Sequence, residues 1–371
     1  MVPSRFRTVT VIESASIIAS TIIGVGVLAL PRLAVEGGNT GAPFVTVLGI
    51  LVAYIGLWLI TKLGMRFPNQ SIIEYSERIL GKWPARFGST LIILFFALLT
   101  ALAAREFGKV VVSAVMPRTP VDVTTIVMLL LAAISSRSNM STFAYAHLFY
   151  LPFVMAPGLL IVIFSTKNAN AYNLLPILGN SPNWFEITMG VLTVSALFQG
   201  SFIMSFVIPA MRSPHMAMTA SFWGVVISGG LYLSIVVAAL AVFGAEEIKM
   251  LMWPTLDLAK TTMIPGEVLE RLDAAFLAVW VTAVYTTLYS TYALTARAIK
   301  DLFRLRDHKM LSLYILPFVY LIAMLPPNII QLYRVIELVG RVGLFVTVAY
   351  PLLLLIVAVA RKQRDDNHVQ S

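Results

Sequence analysis

Charged side chains set inside long apolar stretches are the residues of this sequence best placed to do chemistry. Glu13, Arg105, Glu106, Lys109, Glu337 and Arg341 all lie within or at the edge of such stretches. Charge in a hydrocarbon environment is expensive, so each is a functional residue by default unless a structural partner accounts for it. Glu337 and Arg341 are four residues apart on one helix face and read as a structural ion pair. Arg105 and Lys109 share the same spacing. They read either as snorkelling to the outer membrane interface or as lining an outer vestibule. Glu13 reads as a partner for a basic loop residue. A neutral group, Thr282, Thr286, Thr287, Ser290 and Thr291, crowds one stretch beside Tyr285, Tyr289 and Tyr292. These hydroxyls either bond back to carbonyls of their own helix or form a polar lane for water, a cation or a ligand. There is no Gly-rich phosphate loop, nucleophile elbow or zinc motif. The four histidines have no metal-ligand spacing, and His147 reads as a packing residue or a local hydrogen-bonding group. The chain is therefore expected not to be an enzyme and to need no metal or cofactor.

These residues need elements that hold them in lipid. Of the 371 residues, 58% are hydrophobic and 12% charged, too apolar for a soluble core to absorb. Ten apolar segments, at 11–35, 41–63, 88–115, 121–135, 143–166, 185–210, 217–243, 270–298, 310–325 and 333–360, approach the length that crosses a bilayer. The fourth and ninth are short enough to be tilted or partly re-entrant. The first runs on to about Pro31 and reads as a span rather than a cleaved leader. With the N-terminus placed in the cytoplasm, seventeen Lys and Arg fall inside and six outside. That split predicts both termini cytoplasmic. It also assigns the net charge of +9 to loops rather than to nucleic-acid binding. The absence of cysteine excludes disulfides and thiolate metal sites. Short helices are predicted at Ile72 to Leu80 on the cytoplasmic interface and within Thr255 to Ile264 outside. The tail, 361–371, is polar and predicted to fray.

Two spans are interrupted. Span 1 carries Gly24-Val25-Gly26 near its middle and Pro31 beyond. Span 6 carries Gln199-Gly200-Ser201 near its middle and Pro209 beyond. Glycine weakens a helix by about 1 kcal/mol relative to alanine, and unwound backbone in a membrane is tolerated only where protein or a wet cavity satisfies it. The spans start 174 residues apart, at Val11 and Phe185, and Gly26 and Gly200 share that offset. The glycines also suit close helix packing, but the matched offset and the mid-span Gln199 favour a binding site. The pattern predicts an all-α polytopic membrane protein with a 5+5 inverted repeat of the LeuT type and broken helices 1 and 6. Repeat one would cover about 11–166 and repeat two about 185–360 of one transmembrane domain. A ligand would sit at the midplane, with a half-helix N-terminus toward a carboxylate and freed carbonyls toward an ammonium group.

Residues 23–31, Ile-Gly-Val-Gly-Val-Leu-Ala-Leu-Pro, resemble the Gly-x-Gly segment of the amino acid–polyamine–organocation superfamily. Phe198-Gln199-Gly200 resembles its Phe-x-Gly segment. A narrower resemblance runs through Trp253-Pro254-Thr255-Leu256-Asp257-Leu258-Ala259, then Leu269-Glu270-Arg271-Leu272-Asp273 and Trp280, with Pro117-Arg118-Thr119-Pro120. These are similar to the B subunit of spore germination nutrient receptors. The resemblance implies a transporter-like sensor in the inner membrane of a bacterial spore, working with A and C subunits. Its ligand would be an amino acid, or in some receptors a nucleoside or sugar. It implies ligand contacts at Gly24, Val25, Gly26, Phe198, Gln199 and Gly200, with walls near Thr100, Ala104 and Tyr285. Many proton-coupled superfamily members carry a lysine in span 5, and this chain has none there, which favours sensing over coupled uptake. Secondary amino acid transport by alternating access is the alternative reading.

Overall fold

The computed structural model describes residues 8–179, 183–261 and 272–364. Arg5, Arg7, the end of the tail, residues 262–264 of the external helix and the Leu269–Arg271 motif lie outside them.

Local signals start the helices. Thr10 and Glu13 form a reciprocal capping box ahead of α1 (Val11–Ile22), so two otherwise orphaned donors are satisfied. Glu13 thus has a different role from that expected. Its carboxylate accepts from the Thr10 N–H at 2.6 Å and from the Thr10 hydroxyl at 2.9 Å. The first span breaks after Ile22, makes one tight turn at Val25–Val27 and resumes as α2 (Leu30–Gly38). Span 2 is α3 (Ala42–Arg66), and a second capping box, Ser71 with Glu74, opens the short α4 (Ile72–Leu80). Spans 3, 4 and 5 are α5 (Lys82–Ala114), α6 (Val121–Ser135) and α7 (Met140–Ser165).

Span 6 repeats the pattern of span 1. The helix α8 (Trp184–Ala196) meets the segment Gln199–Ala210, which contains α9 (Met204–Val207), at 44°. Span 7 is α10 (Ala217–Met250), interrupted at Gly244. After α11 (Pro254–Thr261) comes span 8, α12 (Leu272–Leu302). Span 9 is divided into α13 (Lys309–Tyr314) and α14 (Leu316–Met324). Span 10 runs through α15 (Ile329–Leu344), a π-helical turn at Phe345–Ala349 and α16 (Tyr350–Ala360). Lys82–Ala114, Met140–Asn168, Pro214–Met250 and Ile329–Ala360 are each long and apolar enough to cross a bilayer unaided, with mean hydropathy of 2.2 to 2.6. Among the described residues the helices group as ten spans of an integral membrane protein, with spans 1 and 6 broken.

The two broken spans hold each other. At the end of the bundle that carries most of the Lys and Arg, here the basic end, Val9 pairs with Met211 and Arg212 donates to the Val9 carbonyl at 2.8 Å. At the other end α2 and α8 touch backbone to backbone. A Cβ added to Gly37 would lie 2.5 Å from Gly190 Cα. Small residues permit this approach, and lipid provides no substitute for the packing. Gly190→Val is expected to destabilise the protein by about 2 kcal/mol, the usual scale of overpacking, read as a lower melting temperature in detergent.

The apolar face of α4, including Ile72, Ile73, Tyr75 and Ile79, is buried against α5, α12 and α16 rather than laid in lipid. Its outer edge presents Glu77 to Arg304 at 2.7 Å and Arg86 at 3.5 Å. The hydrogen bond from Arg304 holds the Glu77 carboxyl below the usual carboxylate range.

Candidate functional site

The break in span 1 frees carbonyls that α1 cannot satisfy, and side chains from elsewhere take them up. Thr286 and Thr287 of α12 donate to the carbonyls of Ser20 and Thr21 at 2.8 and 2.9 Å. Tyr232 of α10 donates to Ile22 at 2.7 Å, and Trp280 to Gly24 at 3.3 Å. Thr255 of α11 bonds twice, hydroxyl to Val27 and N–H to Leu28. The unwound segment is therefore strapped from three sides, which fixes its shape before any ligand arrives.

Beside it lies a cavity of about 100 Å³, several times the roughly 10–15 Å³ that one water needs. Gly24, Val25, Gly26 and Ala29 line it from span 1, Gln199 and Gly200 from span 6, and Thr287 and Thr291 from span 8. Gln199 donates through Nε2 to the Gly340 carbonyl at 2.7 Å, while its buried Oε1 has no partner among the described residues. The N-terminus of α2 begins beside Ala29, so the positive end of that half-helix abuts the space.

Span 3 presents a different face from the one expected. Leu99, Leu102, Ala103 and Glu106 reach the cavity, and the stripe of Thr100 and Ala104 does not. Thr100 is buried and donates to Thr291 Oγ1 at 2.8 Å, and Ala104 is fully buried. Phe198 is also buried beneath the cavity wall, edge-on to Tyr232 with centroids 5.3 Å apart. Tyr285 points to span 4, where its hydroxyl meets Ser135 at 2.7 Å.

Each hydroxyl of the span 8 group has a partner. Thr282 bonds back to Val279 at 2.6 Å, and Thr291 bonds back to Thr287 at 3.1 Å. Thr286 and Thr287 bridge to span 1. Ser290 meets Thr21 Oγ1 at 2.6 Å and His147 Nε2 at 3.0 Å. The other ring nitrogen of His147 meets Ser20 at 2.6 Å, and the ring stacks on Tyr289. His147 thus packs among aromatic rings, as one of its two expected readings has it, while its hydrogen bonds join spans 1, 5 and 8 rather than staying local.

The charges sort differently too. Arg105 is buried at 7% exposure rather than snorkelling. It pairs with Asp122 at 3.2 Å and contacts Met324 Sδ. Glu337 and Arg341 do form an ion pair, and Arg341 also donates to Thr193. Glu106 is the residue whose role the sequence left open. Its carboxylate is buried and accepts from the Tyr333 hydroxyl at 2.8 Å. That hydroxyl accepts in turn from Trp253 Nε1 at 2.7 Å, and Arg32 lies over the Tyr333 ring. Its position within a span was a signal of function, but its direction was not readable. Tyr232 and Tyr333 carried no signal at all, being aromatic residues among many. Among the described residues no cluster of His, Asp and Glu could hold a metal.

Residues 8–332 match the family model described as spore germination protein. The spore germination protein YndE of Bacillus subtilis (strain 168) is 26% identical over 361 residues, covering 96% of this chain and 98% of that protein. Among solved structures, Mhp1, a nucleobase-cation-symport-1 family transporter with bromovinylhydantoin bound, superposes with a TM-score of 0.69 at 13% identity. That match covers 93% of this chain and 79% of the transporter. MhsT in complex with L-phenylalanine gives 0.62 at 11% identity over 95% and 89% of the two chains. These likenesses give the fold, the transporter architecture with discontinuous helices 1 and 6.

Proposed function

The chain belongs to the spore germination protein family, and from that premise we propose that it is the transporter-like, nutrient-sensing subunit of a germinant receptor. The observation that carries this reading is the cavity at the seam of the two broken spans, with the buried Glu106 carboxylate on its wall. An α-amino acid matches that lining. Its ammonium group meets Glu106. Its carboxylate meets the N-terminus of α2, where N–H groups and the helix dipole favour an anion. The freed carbonyls, first expected to take the ammonium, are largely engaged by Thr286, Thr287, Tyr232, Trp280 and Thr255. A small side chain suits the apolar remainder, Leu99, Leu102 and Ile336.

The ligand favours one conformer of the bundle, and that bias passes to partners, the A and C subunits of the receptor. The basic end faces the cytoplasm and the protein resides in the inner membrane of the spore. The two repeats, about 11–166 and 185–360, pivot about the site. The protein acts by binding, with no covalent chemistry.

The transporter neighbours support a second reading, secondary amino acid transport by alternating access. The absence of a lysine from span 5 favours the first over proton-coupled uptake. Gradient-driven uptake by the lone protein in liposomes would select transport. The test of the leading reading is a melting screen of the purified chain against amino acids, nucleosides and sugars. A native-state ligand at a hundred times its Kd adds about 2.7 kcal/mol, so at least one amino acid should raise the melting temperature by several degrees. A screen in which no amino acid does so overturns the reading.

A further inference from the structure

A second cavity, of about 230 Å³, opens at the basic end and is separate from the nutrient site. Its wall includes Arg297 and Lys300 of α12, His308 of the following turn, and Asn139 and Met140 at the start of α7. The Arg297 guanidinium contacts Met140 Sδ at 3.0 Å, the Ser138 carbonyl at 3.3 Å and the face of Phe143. Among the described residues no carboxylate pairs with it, and its buried Nε has no partner. The one acid on the wall, Asp301, is occupied by Ser71 Oγ at 2.7 Å and Lys300 at 3.0 Å. The ring nitrogens of His308 are taken by the Ser136 carbonyl and Asp307.

The opening turn of α7 adds to this. Asn139 caps the Thr142 N–H, and Phe143 N–H returns to the Asn139 carbonyl. The N–H groups of Met140 and Ser141 are first-turn donors with no acceptor inside the helix, at the positive end of a 26-residue helix. A guanidinium that makes no salt bridge among the described residues, an ammonium group held by Asp301 and a helix N-terminus converge on one space large enough for several heavy atoms. Planar fork geometry makes arginine suited to carboxylate and phosphate.

We propose that this cavity binds a small oxyanion, carboxylate or phosphate, on Arg297, Lys300 and the N-terminus of α7. Once bound, the anion joins the basic ends of spans 5 and 8. This site stands whether or not the nutrient reading holds.

The test is thermal melting of the purified full-length protein in inorganic phosphate, malonate or chloride at matched ionic strength, without nutrient. Phosphate or malonate should raise the melting temperature saturably while chloride does not. Whichever of the two saturates at lower concentration identifies the preferred group. Arg297→Gln should weaken that response at least about tenfold, as loss of a charge-assisted hydrogen bond implies. Arg297→Lys should keep part of it, and Lys300→Gln should weaken it several-fold, so the result does not hang on one variant folding. Lys82→Gln, an exposed cation of the same end, should respond as the parent does. The proposal is overturned if no anion gives a saturable shift, or if the shift survives unchanged in both Arg297→Gln and Lys300→Gln. Either outcome would leave only the general effect of excluded salts on protein surfaces.

Discussion

Glu106→Gln is expected to abolish amino acid binding while leaving the protein folded. Glutamine is nearly isosteric and its side-chain oxygen can still accept from Tyr333, so the Trp253–Tyr333 chain that holds the position survives. What is lost is the negative charge opposite the ligand ammonium. Removing one member of a buried, hydrogen-bonded charge pair costs about 2–5 kcal/mol. At about 1.4 kcal/mol per decade, affinity should fall by about 25-fold to several thousand-fold. Equilibrium binding of a radiolabelled amino acid identified in the melting screen checks this, with the ligand-free melting curve as the control for folding. Tyr333→Phe should have a smaller effect in the same direction, because it frees the carboxylate without removing its charge. Unchanged affinity in Glu106→Gln would take Glu106 out of the site.

The second large effect is expected at Gly24. A Cβ there would lie 2.2 Å from Thr287 Oγ1 and 2.9 Å from Thr287 Cβ. The threonine cannot simply turn aside, because its hydroxyl is the donor to the Thr21 carbonyl. Gly24→Ala should therefore push span 1 from span 8, cost about 1–3 kcal/mol of stability and eliminate nutrient binding. Gly26 offers a contrast. An added Cβ there meets Leu197 Cδ2 at 2.8 Å, the far end of a flexible side chain that can rotate away. Gly26→Ala should retain most of the stability. Adding Thr287→Ala to Gly24→Ala removes the hydroxyl contact but not the one to Cβ, so it should restore the melting temperature only in part. Melting curves and binding on the three variants test the ranking. Equal damage at Gly24 and Gly26 would contradict it.

Features of the site that depend on a local break in a helix were legible in the sequence. Gly24, Val25, Gly26, Gln199 and Gly200 do gather on one cavity, because glycine pairs and a polar residue inside an apolar run declare where a helix is interrupted. The direction of an unbroken span was not legible. The helix α5 is apolar nearly all round, so no periodicity distinguishes the Leu99–Ala103–Glu106 face from the Thr100–Ala104 face. One residue of rotational error moved the expected wall from the cavity to the packing surface against span 8. Tyr285 lies off the cavity for a similar reason. It shares a hydroxyl-rich helix with Thr287, but the helix turns it toward Ser135 of span 4.

Charge was legible as a mark of importance and not as a role. Arg105 and Glu106 are adjacent in sequence, yet one closes an ion pair with Asp122 and the other faces the cavity. His147 shows the same limit. A lone histidine has no partner in sequence, and its bonds to Ser20 and Ser290 span 127 and 143 residues. Such long-range junctions are set by how spans pack, which a single sequence encodes without displaying.

The chain contains no cysteine, which makes one measurement especially direct. Ala103 lies on the cavity wall and is 8% exposed. In Ala103→Cys, the only thiol in the molecule reports on that space, and Arg118→Cys places one in an exposed loop as a reference. The rate of labelling by a small thiol reagent is measured with and without the amino acid that raises the melting temperature. A ligand in the cavity between the broken spans slows labelling of Ala103→Cys several-fold and leaves Arg118→Cys unchanged. Equal labelling of Ala103→Cys in both conditions, while the same amino acid still raises its melting temperature, would show that the nutrient binds elsewhere.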